Sequence, residues 1–156
     1  MADPIDYLNR LIEINKDSEV GFTTAAANVN NTELETLFSN YAKQHAKFAQ
    51  ELREEVERLG GRSADSGTVG GAIHRSWLDL KSTLTGHSSA ALLASCNSAE
   101  ESAEVAYDDA ADANPTGQTH ALITRQRKQI NEFRTRLFRL VQETKDGVEF
   151  QANKEF

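Results

Sequence analysis

The sequence predicts an all-α chain of four long helices, and three observations carry that expectation. Apolar residues recur at alternating three- and four-residue spacing through four long stretches, the period of an amphipathic helix. The 156-residue chain holds two prolines, Pro4 at a helix start and Pro115 in a turn. Between the apolar stretches stand the punctuating pairs Asn30-Asn31, Gly60-Gly61 and Asn114-Pro115.

The first helix is expected over residues 4–28. Asp3 accepts the N-cap hydrogen bond, and Pro4 at the first helical position loses nothing because that N–H has no partner. Its apolar face reads Ile5, Leu8, Ile12, Asn15, Glu19, Phe22, Ala26, Val29. The turn Asn28-Val29-Asn30-Asn31 is rich in residues that tolerate left-handed geometry. The second helix is expected over 32–59, opened by a capping box of Thr32 with Glu35 and stopped by Gly60-Gly61. Its face reads Leu34, Phe38, Tyr41, His45, Phe48, Leu52, Val56, Leu59. A shorter helix is expected over 68–84, with Ile73, Trp77, Leu80 and Leu84 on one side. The third long helix is expected over 88–113 with Leu93, Cys96, Glu100, Ala103, Tyr107 and Ala110 inward. The fourth is expected over 118–145 with Ile123, Gln126, Ile130, Phe133, Leu137 and Leu140 inward. Asp146-Gly147 closes it, before a frayed tail.

Residues 1–156 therefore read as one domain made of two helical hairpins. The connection between the hairpins is long for helix neighbours. It can travel the length of the assembly and start the third long helix at the far end. Four helices with one long crossover make a ferritin-like four-helix bundle, here with a short fifth helix in the crossover. Trp77 is the expected anchor of that fifth helix against the bundle.

Glu19, His45, Glu100 and Gln126 occupy apolar faces near the middle of their helices. A carboxylate in a core is costly unless paired, protonated or bound to a metal. Four such residues point to a shared polar centre, with Tyr41 and Tyr107 around it. In one reading the carboxylates hold an ion and His45 supplies a neutral nitrogen. In the other, the residues form a hydrogen-bonded network with Asn15 that fixes helix register.

Composition narrows the function classes. The net charge of −7 argues against nucleic acid or an anionic membrane as partner. Arg125, Arg127, Lys128, Arg134, Arg136 and Arg139 gather on the fourth long helix, expected to oppose the acidic second and third. The single cysteine, Cys96, precludes an internal disulfide and reads as a small buried apolar residue. His87 and His120 read as surface residues. No signal peptide is expected, and no apolar run approaches the roughly 18 residues that span a bilayer. A reducing cytoplasm is the expected location. There is no nucleophile–base pair in sequence context, no phosphate loop and no Cys/His metal spacing, so no catalytic residue or small-molecule substrate is identified.

The run Asp65-Ser66-Gly67-Thr68-Val69-Gly70-Gly71-Ala72-Ile73-His74-Arg75-Ser76-Trp77-Leu78-Asp79-Leu80-Lys81, followed by Leu84-Thr85-Gly86, resembles a bacterial four-helix-bundle family of unknown function in the ferritin-like group. Asp17-Ser18-Glu19-Val20-Gly21-Phe22, Phe48-Ala49-Gln50-Glu51-Leu52, Arg58-Leu59-Gly60-Gly61 and Arg125-Gln126 add to the resemblance. It implies the fold and assigns no activity. The wider superfamily holds two iron or manganese ions with one Glu on each of two helices and Glu-x-x-His on each of the others. Glu19 and Glu100 match the lone glutamates, while Ala42 stands where a Glu would precede His45. The fourth helix offers Gln126 and Gln129 and no His to match. That set suits a single Fe, Mn or Zn ion better than a di-iron oxidase centre.

The leading expectation is thus a cytoplasmic metal-binding or stress-related bundle using Glu19, His45, Glu100 and Gln126. The alternative is a non-enzymatic structural or interaction bundle that has lost the metal chemistry, forming a homodimer or meeting another protein. His74, Arg75, Trp77 and Asp79 offer either crossover packing or a partner surface.

Overall fold

The computed structural model describes residues 3–64 and 89–145. The described chain is all-α: α1 spans Pro4–Asn28, α2 Thr32–Arg58, α3 Ser89–Asp112 and α4 Gly117–Lys145, with no strand among the described residues. The expected short helix over 68–84, Trp77 with its neighbours, His87 and the tail all fall outside the described residues.

α1 begins where Asp3 and Pro4 place it. The Asp3 carboxylate accepts from the Ile5 N–H at 2.9 Å. Between α1 and α2 the left-handed geometry allowed by the asparagines is not used. Val29 is extended, with φ −77° and ψ 139°. The α2 cap also differs from the expected capping box. Asn31, not Thr32, is the N-cap, and its side-chain oxygen accepts from the Leu34 N–H at 2.9 Å. Asn and Thr are both good caps standing side by side, and here Asn31 is the one whose side-chain oxygen meets the third helical amide.

The α2 C-terminus is a Schellman motif. Gly60 N–H donates to Glu57 O and Gly61 N–H to Val56 O, each at 2.9 Å, with Gly60 at φ +82°. Gly61 matters for a different reason: a Cβ there would lie 2.6 Å from Ile5 Cδ1. The missing side chain lets the end of α2 close on the start of α1. Asn9 reinforces this end by donating to Arg62 O and accepting from the Ala64 N–H.

The helices pack as neighbours in the cycle α1–α2–α4–α3, so α2 and α3 lie diagonally opposite. Specific contacts give their directions. On α1 and α2, Asn15 meets His45 and Phe22 meets Phe38, an antiparallel pair. On α2 and α4, Thr119 donates to Glu55, Gln126 to Phe48 O, and Tyr41 stacks on Phe133, again antiparallel. Asp108 with Arg127 and Glu101 with Arg134 set α3 antiparallel to α4. It follows that α2 and α3 run parallel, and that α2 ends and α3 begins at opposite ends of the fold.

The core is apolar toward both ends, from Leu8, Leu52 and Val56 at one to Phe22, Phe38, Leu92 and Leu93 at the other, with buried polar residues between them. Fully burying such a side chain stabilises by roughly 1.5–3 kcal/mol. α3 contributes Ala99, Ala103, Ala106 and Ala110 to the interior, whose small side chains allow close packing. Tyr41, Phe48 and Phe133 fill the space between α2 and α4. The basic residues of α4 act partly as expected: Arg125 pairs with Glu51 of α2, and Arg127 and Arg134 pair with acidic residues of α3. Such exposed pairs each contribute little. Among the described residues, no helix is long and apolar enough to cross a membrane.

Gly61→Ala is expected to lower stability by about 1–2 kcal/mol, because the methyl group must displace Ile5. In an Ile5→Ala background the same change should do much less. A double-mutant cycle read by urea unfolding measures this, and additive effects would show that the close approach imposes no constraint.

Candidate functional site

Three of the four residues expected at the polar centre come together. His45, Glu100 and Gln126 are wholly buried, on α2, α3 and α4. Glu19 is not with them. Its side chain is about one-third exposed and receives the Lys16 ammonium at 2.8 Å. The inner strip of α1 runs Leu8, Leu11, Ile12, Asn15, Ser18, Phe22, Ala25, so Ser18 takes the place expected for Glu19. A three-four spacing fits two phases one residue apart. The phase adopted keeps a carboxylate in water and puts a small residue inside.

Asn15 supplies the missing link, and Tyr107 the second. Asn15 Nδ2 donates to Leu11 O and to the Tyr107 hydroxyl, both at 2.8 Å. The Tyr107 hydroxyl donates to Gln126 Oε1 at 2.6 Å. Gln126 Nε2 then donates to Phe48 O at 3.3 Å and to Glu51 Oε1 at 3.0 Å. At the other end, His45 Nδ1 meets Asn15 Oδ1 at 2.7 Å and His45 Nε2 meets Glu100 Oε2 at 3.1 Å. The result is one continuous run from Glu100 through His45, Asn15, Tyr107 and Gln126 to Glu51, which Arg125 holds at the surface.

The direction of that run is fixed. Leu11 O and Phe48 O are backbone carbonyls and can only accept, which orients both amides. Asn15 therefore presents its oxygen to His45, so Nδ1 carries a proton and donates. His45 Nε2 and Glu100 Oε2 then share one further proton: either the imidazolium donates to a carboxylate, or a carboxylic acid donates to a neutral imidazole. Both arrangements leave the pair neutral overall.

The surroundings are dry and aromatic. Phe22 stacks on the His45 ring, with centroids 5.6 Å apart and planes 11° apart. Phe48 and Phe133 meet the same ring edge-on at 6.0 Å. Burial raises the Tyr107 hydroxyl far above the usual phenol range, with Glu100 and Glu51 adding to the effect. It therefore stays protonated and can donate to Gln126. Tyr41 is raised by burial as well, and contributes its ring through the stack on Phe133, 4.2 Å between centroids. Cys96 is buried, as expected, and burial followed by the Glu100 charge pushes its thiol up, which makes a thiolate nucleophile unfavourable.

The expected four-residue ligand set is not assembled. Gln126 has its oxygen taken by Tyr107 and its nitrogen by Phe48 and Glu51. Among the described residues, no three His, Cys, Asp or Glu side chains gather where they could hold one ion. His45 and Glu100 alone do not fit a structural or catalytic metal. Among the described residues, Glu100 Oε1 and Ser18 Oγ of this region lack a hydrogen-bond partner. Asn15, which shares the α1 strip with Ile12 and Phe22, joins the network as the second reading of the sequence expected. Glu51 gave no such signal, because it belongs to the half-exposed flank of α2.

The family described as Domain of unknown function (DUF2383) matches residues 3–113, well over half of the chain. No curated protein matches.

Tyr107→Phe is expected to destabilise by about 2–3 kcal/mol, because it strips a partner from Asn15 and another from Gln126 inside the core. Glu100→Gln at neutral pH should change stability by less than about 1 kcal/mol, since its amide can donate to His45 Nε2. Glu100→Ala, which orphans that nitrogen and opens a void, should cost about 3–4 kcal/mol. Chemical unfolding of the three variants checks the order.

Proposed function

The chain belongs to the family described as Domain of unknown function (DUF2383), and on that premise we propose that it is a non-enzymatic structural or protein-interaction bundle. Its polar centre fixes how the helices register and presents no reactive group to a substrate. The observation that carries this reading is the single directed hydrogen-bond run tying α1, α2, α3 and α4 together. A catalytic centre needs an acid, base or nucleophile that a substrate can reach. Here every member from Asn15 to Gln126 is wholly buried, and its strongest groups are engaged with one another.

The helix directions, with α2 ending and α3 beginning at opposite ends of the fold, support a ferritin-like bundle. In this reading the chain keeps that architecture, while a hydrogen-bond network stands in the middle of the bundle. A buried polar network suits this task. A register slip of α3 by one turn would strip Glu100 and Tyr107 of their partners and leave His45 Nε2 unpaired, at a few kcal/mol for each group. Apolar packing alone tolerates such slips far better.

Elemental analysis of protein purified without an affinity tag tests the reading. Iron, manganese, zinc and copper are expected well below one ion per chain, before and after reconstitution. Near-stoichiometric metal that disappears in a His45→Ala/Glu100→Ala double variant would overturn it.

A further inference from the structure

We propose that the His45–Glu100 pair is a single-proton latch between α2 and α3, so that the bundle loosens when that proton is lost and again when a second one is added. The inference rests on the structural reading of the network and adds a response to pH.

The argument is geometric. α2 and α3 are diagonal partners, and His45 Nε2 to Glu100 Oε2 is the hydrogen bond that joins them directly among the described residues. The rest of the run prevents adjustment. Nδ1 is committed to Asn15 Oδ1, and Asn15 cannot turn over because Leu11 O accepts from its nitrogen. With no proton between them, the Nε2 lone pair would face a carboxylate at 3.1 Å, and the centre would hold an uncompensated negative charge. With two protons, the centre would hold an imidazolium without its counter-charge. Glu100 Oε1 has no hydrogen-bond partner among the described residues, so no donor there offsets the negative charge of the proton-free pair.

Among the described residues, the surroundings supply no substitute charge. From α1 the centre meets Asn15 and Phe22, neither of which titrates. From α2 it meets the ring of Phe48, and the Tyr41 hydroxyl, held protonated by burial, feels the Glu100 charge. On α3, Cys96, Glu104 and Tyr107 all feel the Glu100 charge, and none is a cation. From α4 come Phe133 and Gln126, with Arg125 and Arg136 acting at a distance through the two tyrosines.

Thermal unfolding of the full chain across pH, beside Glu100→Gln, tests the latch. The variant keeps a donor to a neutral His45 and has no shared proton to lose. Wild type should lose several degrees relative to the variant on the alkaline side, and ¹⁵N resonances of the His45 ring should change over the same interval. Parallel curves, or His45 resonances that stay constant while the stability difference changes, would overturn the latch. If the curves are parallel while Tyr107→Phe still destabilises strongly, the latch fails and the register-fixing network stands. Should Glu100→Gln not fold, the His45 resonances of wild type decide alone, with constancy across the pH range counting against the proposal.

Discussion

The carbonyl oxygens of Leu11 and Phe48 are the constraint on which the polar centre depends. Each has only acceptor capacity, and each receives the amide nitrogen of a buried side chain. Once Asn15 and Gln126 are oriented, every other role follows. The Tyr107 hydroxyl accepts from one amide and donates to the other, and His45 donates through Nδ1. A network of rotatable groups thereby becomes a single arrangement, set by backbone that the helices already hold in place. Buried polar groups specify a fold only when their partners are determined in this way.

The packing around the centre follows from the same requirement. Polar side chains gain from a low dielectric only when they are fully partnered, so water must be kept out. Phe22, Phe48 and Phe133 surround the imidazole on three sides and do this. Small residues do the complementary work on the other side. Ser18 and Gly21 of α1, with Ala103, Ala106 and Ala110 of α3, are buried in the packed interior. That lets α1 and α3 come close enough for Asn15 to reach Tyr107. The bulky rings between α2 and α4 and the small residues on α1 and α3 make the cross-section unequal, with the polar run bridging it.

What the sequence made legible depends on how sharply each helix defines its inner face. In α2 and α4 large apolar residues bracket His45 and Gln126, and in α3 Leu93 and Tyr107 flank Glu100 two steps along the strip, so one phase fits and all three lie buried as expected. In α1 the buried strip is broad, with Leu11 and Ile14 inside as well as Leu8 and Ile12. Two phases one residue apart then fit the pattern. Hydrophobicity alone could not choose between Ser18 and Glu19, whereas desolvation of a carboxylate does. Asn31 against Thr32 at the α2 cap is the same kind of ambiguity, two good capping residues one position apart. Partners such as Glu51 depend on side-chain reach between helices, which no local pattern encodes.

The choice of a carboxylate at position 100 bears on why the centre is built as it is. A glutamine would satisfy His45 Nε2 at neutral pH without leaving charge in the core, and would carry its own two donors. With Asn15 Oδ1 holding the Nδ1 proton, either residue can complete the imidazole. They differ in what happens when protons are exchanged. An amide leaves a neutral pair indifferent to alkali, while a carboxyl group makes the bond depend on one proton. Register alone therefore does not require Glu100. Oε1, which has no hydrogen-bond partner among the described residues, does not distinguish the two, because glutamine would bring an equally unpartnered group to that place. A group more sensitive to its surroundings than its isostere fits a centre whose state matters as well as its shape.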